Sequence, residues 1–124
     1  LSVKNVLEDK TKNIIKDKVV NNTKVRFQKV QDLPPKDLRK LVDNGKKEIG
    51  EGIVIIFASK DEKIGLAVGV TDNLINKYNA VKFAKIGSEL IGGKGGGGRP
   101  DFAQAGGTEI NKIDEAIQKL KSLI

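Results

Sequence analysis

Between Gly92 and Gly107 the chain reads GGKGGGGRPDFAQAGG, a stretch that gathers most of its 14 glycines. Each glycine costs up to about 1 kcal/mol of conformational entropy relative to alanine. Bare backbone N–H groups can approach an anion closely, and Lys94 and Arg99 flank the run with positive charge. The chemistry this suggests is the gripping of phosphate rather than the breaking of bonds. The 124 residues contain no histidine and no cysteine. A Ser-His-Asp triad, a thiolate nucleophile and the usual zinc ligands are therefore excluded. A site made of carboxylates alone stays conceivable.

The glycine stretch fails the familiar phosphate motifs. A P-loop needs Gly-Lys followed by Ser or Thr, whereas Gly93-Lys94 is followed by Gly95. Gly93, Gly95 and Gly98 satisfy G-x-G-x-x-G, as any glycine run does, but the stretch follows a helical pattern rather than a strand. A flexible linker is also a poor description. Pro100 fixes a dihedral, Phe102, Ala103 and Ala105 need somewhere to bury, and the single short helix beyond cannot stand alone. The stretch is expected to be a loop inside the domain.

The formal net charge is +7, which points to a polyanion such as nucleic acid; a merely soluble basic protein is the bland alternative. Aromatic residues are only 4%, which argues against extensive stacking on single strands. The longest apolar run, Ile53 to Ala58, is strand-sized and far too short to span a membrane. Methionine is absent and the chain opens on Leu1, which leads us to expect a piece of a longer protein.

Other elements must position this loop. Val3, Val6, Leu7, Ile14, Ile15 and Val19 recur at helical spacing, so residues 1–20 are expected to form a helix. It is either the tail of a longer coiled coil or an independent surface helix. Lys24 to Lys29 alternates as a half-buried strand. Pro35 fits the first turn of a helix with Leu38, Leu41, Val42 and Ile49 inward and Lys36, Lys40 and Lys47 outward, ended by Gly50-Glu51-Gly52. Ile53–Ala58 reads as a central strand and Ile64–Val70 as its hairpin partner. Gly65, Ala67 and Gly69 share one face of that partner, which suggests a close backbone neighbour. Asn79 caps a helix carrying Phe83, Ala84, Gly87, Leu90 and Ile91. Asn111 and Asp114 resemble a capping box before a last helix with Ile113, Ile117, Leu120 and Ile124 inward. The expected fold is α/β: a small sheet of three to four strands packed with helices in the order β-α-β-β-α-loop-α, preceded by the N-terminal helix. The division is a helix over 1–20 and a globular domain over 23–124.

The stretch GGGGRPDFAQAGG, residues 95–107, resembles the signature near the C-terminus of alanyl-tRNA synthetases. The resemblance runs from Thr23 to the end through GIVIIFAS, KIGLAVGV, the glycine stretch and the closing helix. A related domain accompanies DHH-type phosphoesterases, usually with a shorter Gly-Gly-Gly-His-Pro version. Arg99 stands at that histidine position here, and RPDFAQAGG points to the synthetase branch.

What the resemblance implies is a non-catalytic, cytoplasmic appendage that grips the outer corner of tRNA and helps couple aminoacylation with editing. Its partners would be tRNA, alanine-specific through the parent, and the other synthetase domains, with a homodimer formed through residues 1–20. ATP and zinc would be bound only elsewhere in the parent, and no membrane is involved. The leading RNA contacts are Lys94, Gly95, Gly96, Gly97, Gly98 and Arg99; Lys77, Lys82 and Lys85 extend the patch, and Gln104 bonds a base or ribose. Competing structural roles stay open. Asp101 pairs with Arg99 as a brace or does not, Phe102 plugs the core or stacks on a base, and the glycines pack against Gly65 and Gly69 or face RNA. Two other functions also stay open: a nucleic-acid grip of a DHH-type phosphodiesterase, and a self-association module without RNA.

Overall fold

The computed structural model describes residues 13–20, 22–31, 37–60, 63–93 and 95–124. The strands are β1 (Asn13–Val20), β2 (Thr23–Gln31), β3 (Ile53–Lys60), β4 (Lys63–Val70), β5 (Gly97–Arg99) and β6 (Phe102–Gly107). The helices are α1 (Leu38–Ile49), α2 (Ala80–Leu90) and α3 (Ile113–Ser122). The six strands form one sheet in the order β1-β2-β3-β4-β6-β5. Only β2 and β3 run parallel among these neighbours, and α1 makes the crossover between them.

The sheet is the middle of three layers. Ile53, Ile55 and Phe57 of β3 join Leu66 and Val68 of β4 in a core covered by Phe83 and Ala84 of α2 and Ala116 and Leu120 of α3. On the opposite face Val54 and Ile56 of β3 and Ala67 of β4 meet Leu38, Val42 and Ile49 of α1. Period two in a strand sends neighbours to opposite faces, so an unbroken apolar β3 is what two covered faces demand. β2 is covered on both faces as well: Gln28 and Val30 are buried on the side away from Phe27. The small face of β4 serves α1. A Cβ on Gly69 would lie 2.3 Å from Val42 Cγ1, so the close neighbour is a helix side chain rather than another backbone.

Three expectations are corrected. Residues 13–20 are not helical; they form β1, paired antiparallel with β2 from Asn13↔Val30 to Val20↔Thr23. The apolar residues of this short run fit either period, and β-branched Ile14, Ile15, Val19 and Val20 favour the strand. Asn22, at φ 62°, supplies the positive φ that a tight hairpin needs. Residues 1–12 of the expected helix lie outside the described residues, as do Pro35 and Lys36. The sheet has six strands rather than three or four, because residues 13–20 contribute β1 and the glycine stretch contributes β5 and β6. Finally, Asn111 and Asp114 do not form a capping box. A 3-10 turn over Ile110–Lys112 leads into α3, whose start has no side-chain cap, and Asp114 bonds Lys29 at 2.8 Å instead.

One ionic cluster fastens β1 to the rest. The Arg26 guanidinium donates to both Asp17 carboxylate oxygens at 2.7 and 3.0 Å and also to Glu48 of α1. Arg26 and Asp17 are partners in the strand register. The hydrogen bond from Arg26 holds the Asp17 carboxyl below its ordinary value, against a smaller opposing effect of burial. A carboxyl with a depressed folded value stabilises fully above its unfolded value and loses that contribution as pH falls through the folded one. The thermal midpoint of the chain is therefore expected to fall as pH drops below about 4. Asp17→Asn should lower the midpoint at pH 7 by the equivalent of about 1 kcal/mol or less, as suits a pair whose carboxylate is half-exposed, and flatten the acid limb. Calorimetry of both proteins between pH 7 and 3 measures this.

Candidate nucleic-acid interface

The glycine stretch runs back along α2. The Ala80 N–H at the start of α2 donates to the Pro100 carbonyl at 2.9 Å. Further along the helix, the Lys85 stem lies beside Gly95, and Ser88 reaches Gly95 and Gly106. At its end, the Ile91 carbonyl accepts from the N–H groups of Thr108 and Glu109 at 2.9 and 2.8 Å. α2 and residues 95–100 are therefore side by side and oppositely directed. β5 then turns at Pro100 and Asp101 into β6, with Gly97↔Gln104, Gly98↔Ala103 and Arg99↔Phe102 opposed.

Ser88 is the stitch. It has no exposure; its hydroxyl donates to the Gly106 carbonyl and accepts from the Gly95 N–H at 3.1 Å, while its carbonyl accepts from the Gly93 N–H at 2.7 Å. There is no room for side chains in this seam. A Cβ on Gly93 would sit 1.8 Å from the Gly106 oxygen, and one on Gly96 would sit 2.1 Å from the Gln104 oxygen. A Cβ on Gly97 would meet nothing within 4 Å, so the ribbon is packed at some positions and open at others.

The turn bearing Arg99 is tied from both faces of the sheet. The Asp101 carbonyl accepts from the Val70 N–H at 2.9 Å and from Lys46 Nζ of α1 at 2.8 Å. The Lys46 stem crosses the bare backbone of Gly69, where a Cβ would lie 2.7 Å from Lys46 Cε. The Asp101 carboxylate forms no ion pair with Arg99 among the described residues, so the brace acts through backbone carbonyls. Phe102 is half-buried against the α1 layer, with the Arg39 guanidinium 5.5 Å from its ring centroid.

The expected contact residues fall as follows. Gly96, Gly97, Gly98 and Arg99 are exposed, Gly95 is half-buried, and Gln104 is exposed directly opposite Gly97. Lys82 and Lys85 are exposed three residues apart on α2, and Lys85 runs beside the ribbon. Lys77 is exposed just before α2, its ammonium 5.4 Å from the Tyr78 ring centroid. Lys94 lies outside the described residues. Sequence reasoning missed Ser88 and Lys46, which look like an ordinary helix residue and an ordinary surface cation until the tertiary contacts exist. Among the described residues no group of three or more acidic or other ligating side chains could hold a metal ion, and no helix is long and apolar enough to cross a membrane.

The model of the DHHA1 domain matches residues 22–124. The chain belongs to the DHHA1 domain family. It is 50% identical over 102 residues to an alanine–tRNA ligase of Parvibaculum lavamentivorans, covering 82% of this chain and 11% of that protein. It is 46% identical over 103 residues to an alanine–tRNA ligase of Bradyrhizobium diazoefficiens, with 82% and 12% covered. The crystal structure of the C-Ala domain from Aquifex aeolicus alanyl-tRNA synthetase superposes with a TM-score of 0.82 at 30% identity, covering 87% of this chain and 96% of that one. This DHHA1 domain thus spans about a tenth of the length of the ligases it matches. Identity at this level places it with the domain at the synthetase C-terminus, as the RPDFAQAGG reading expects.

The packing separates two kinds of glycine in one ribbon. Gly93→Ala should cost roughly 1–3 kcal/mol, as overpacking does. Gly97→Ala should change stability by no more than about 0.5 kcal/mol. Urea unfolding of the two variants side by side reads the difference.

Proposed function

We propose that this domain is the tRNA-holding module of an alanine–tRNA ligase, doing no chemistry itself. It would grip the outer corner of tRNA and help couple aminoacylation with editing, while ATP and zinc are bound in other domains of the parent. The observation that carries this reading is β5: an exposed, side-chain-poor strand at the edge of the sheet, with Arg99 at one end and the Lys85 stem beside Gly95 just before it.

An edge strand leaves peptide N–H and C=O groups unpaired along one side. Where that strand is glycine, those groups approach sugar and phosphate without a side chain between. Double-stranded RNA is recognised mainly by shape, by 2′-OH groups and by phosphates across a shallow minor groove. A bare peptide edge with flanking cations suits that surface, and Gln104, opposite Gly97, adds a neutral donor and acceptor. The affinity is mostly electrostatic and salt-dependent.

Titration of the chain with tRNA at two salt concentrations tests this. Binding is expected in the micromolar range or weaker, falling steeply with salt. Arg99→Ala with Lys85→Ala should weaken it by roughly tenfold and reduce the salt slope by about 2, one for each phosphate contact. Lys94→Ala belongs in the same series. Arg99 and Lys85 are exposed, so the thermal midpoint should hold. Absence of binding at low salt, or an unchanged affinity and slope in the double variant, rejects the reading.

A further inference from the structure

At the sheet edge opposite β5, α3 passes over β1 and β2 and leaves a cleft of about 440 Å³. Lys18 of β1, Phe27 and Lys29 of β2, and Asp114, Gln118 and Lys121 of α3 line it. Buried Phe27 and half-buried Ile117 supply its apolar floor, and polar side chains make the rest of the lining. Asp114 is the sole carboxylate among these residues, and it is engaged by Lys29 at 2.8 Å. Lys18 and Lys121 make no ion pair among the described residues. Register fixes where Lys18 points: it is opposed to Val25, so it shares the face of the sheet that α3 covers.

Lys18 and Lys121 converge. Both line the same cleft, and the interaction with Lys121 holds the Lys18 amine below the ordinary lysine value. Two cationic side chains on one cleft, with its carboxylate already engaged by Lys29, leave room for an anion. We propose that this cleft is a second phosphate-binding site, taking a phosphate group between the Lys18 and Lys121 ammonium groups. The negative end of the α3 dipole opposes an anion here, but it amounts to about half a charge, and two lysine charges outweigh it. Lysine ammoniums are point charges without a fixed fork, so the site reads charge rather than sequence.

The strand order sets its relation to the ribbon. Five interstrand spacings of about 4.8 Å separate β1 from β5, so the two edges of the sheet are about 24 Å apart. α2 and α3 cover the same face of the sheet, which puts Lys85 and Lys121 on one side of the molecule. The phosphate has two sources with the same chemistry: a backbone phosphodiester of the RNA held at β5, or a free phosphate compound. The cleft itself does not depend on the tRNA reading.

The test uses the isotopically labelled chain, followed by NMR while inorganic phosphate is added, with sodium chloride at matched ionic strength as control. Saturable shifts at Lys18, Gln118 and Lys121, absent with chloride and abolished by Lys18→Gln with Lys121→Gln, are the expected result. The double variant removes two mutually repelling charges, so its thermal midpoint should not fall. Titration with tRNA then separates the sources. An affinity loss of roughly tenfold, with a salt slope reduced by about 2, assigns the site to RNA. Lost phosphate binding with unchanged tRNA affinity assigns it to a free phosphate compound. If the parent chain binds no tRNA yet still binds phosphate at the cleft, the tRNA reading falls and this site stands. Phosphate shifts no larger than those of chloride, together with unchanged tRNA binding in the double variant, overturn it.

Discussion

The contact between two backbones with nothing between them governs this end of the molecule. At Gly93 and Gly96 the chain lies so near to the carbonyls of Gly106 and Gln104 that any Cβ would overlap them. The buried Ser88 hydroxyl bridges the seam, and the buried N–H and C=O groups that such packing creates are answered inside it. β6 is thereby fixed against β4, Ala103 enters the core, and α2 closes over the ribbon. The entropy cost of the glycines is offset by this packing. The same absence of side chains leaves the opposite side of the ribbon as bare peptide facing solvent. Rigidity and accessibility, which usually conflict in a loop, arise here from one cause.

The Arg99 turn is controlled from farther away. Its carbonyls are held by the first N–H of α2, by β4 and by Lys46 of α1 on the other face of the sheet. Lys46 reaches across because Gly69 has no Cβ, and α1 sits low on β4 because Ala67 and Gly69 are small. The small face of β4 thus acts on the candidate interface through one lysine stem, although no residue of that face approaches β5 in the register. A charge change at position 46 acts on the placement of Arg99 without touching a ligand.

Much of the frame was legible in the sequence where one period dominated. The apolar run 53–58 admits only a strand covered on both faces, and Asn79 before an apolar helix pattern is a cap, with its side chain accepting from the Val81 N–H at 2.8 Å. Leu38, Val42 and Ile49 gave α1 its inner stripe, and Gly50, at φ 79°, ends it. Legibility failed where local signals tie and partners elsewhere decide. Residues 13–20 pair with β2 under the Arg26 cluster, which no local pattern encodes. Glycine has low strand propensity, so β5 and part of β6 could not be read as strands; their pairing is imposed by neighbours. For the candidate interface, residue type and sequence proximity singled out Arg99, Lys85 and Gln104. Ser88 and Lys46 act through contacts 18 and 55 residues away and carry no local mark.

Net charge alone would have misled about where an anion can be held. Arg26 is committed to Asp17 and Glu48, Lys29 to Asp114, Lys112 to Glu115, and Lys46 to a carbonyl. These cations hold elements together, and their fields are largely met by their partners. What attracts a polyanion is the charge left over, and its placement follows from topology. Among the described residues β1 and β5 are the two strands with one neighbour, so side chains and peptide groups at those edges are the least enclosed by the described fold. Arg99 and Lys85 stand at one edge and Lys18 with Lys121 at the other. On the two proposals above, such a surface would hold a rigid polyanion by two separated points, and the distance between the points, more than their sum of charge, would select among the shapes that can bridge them.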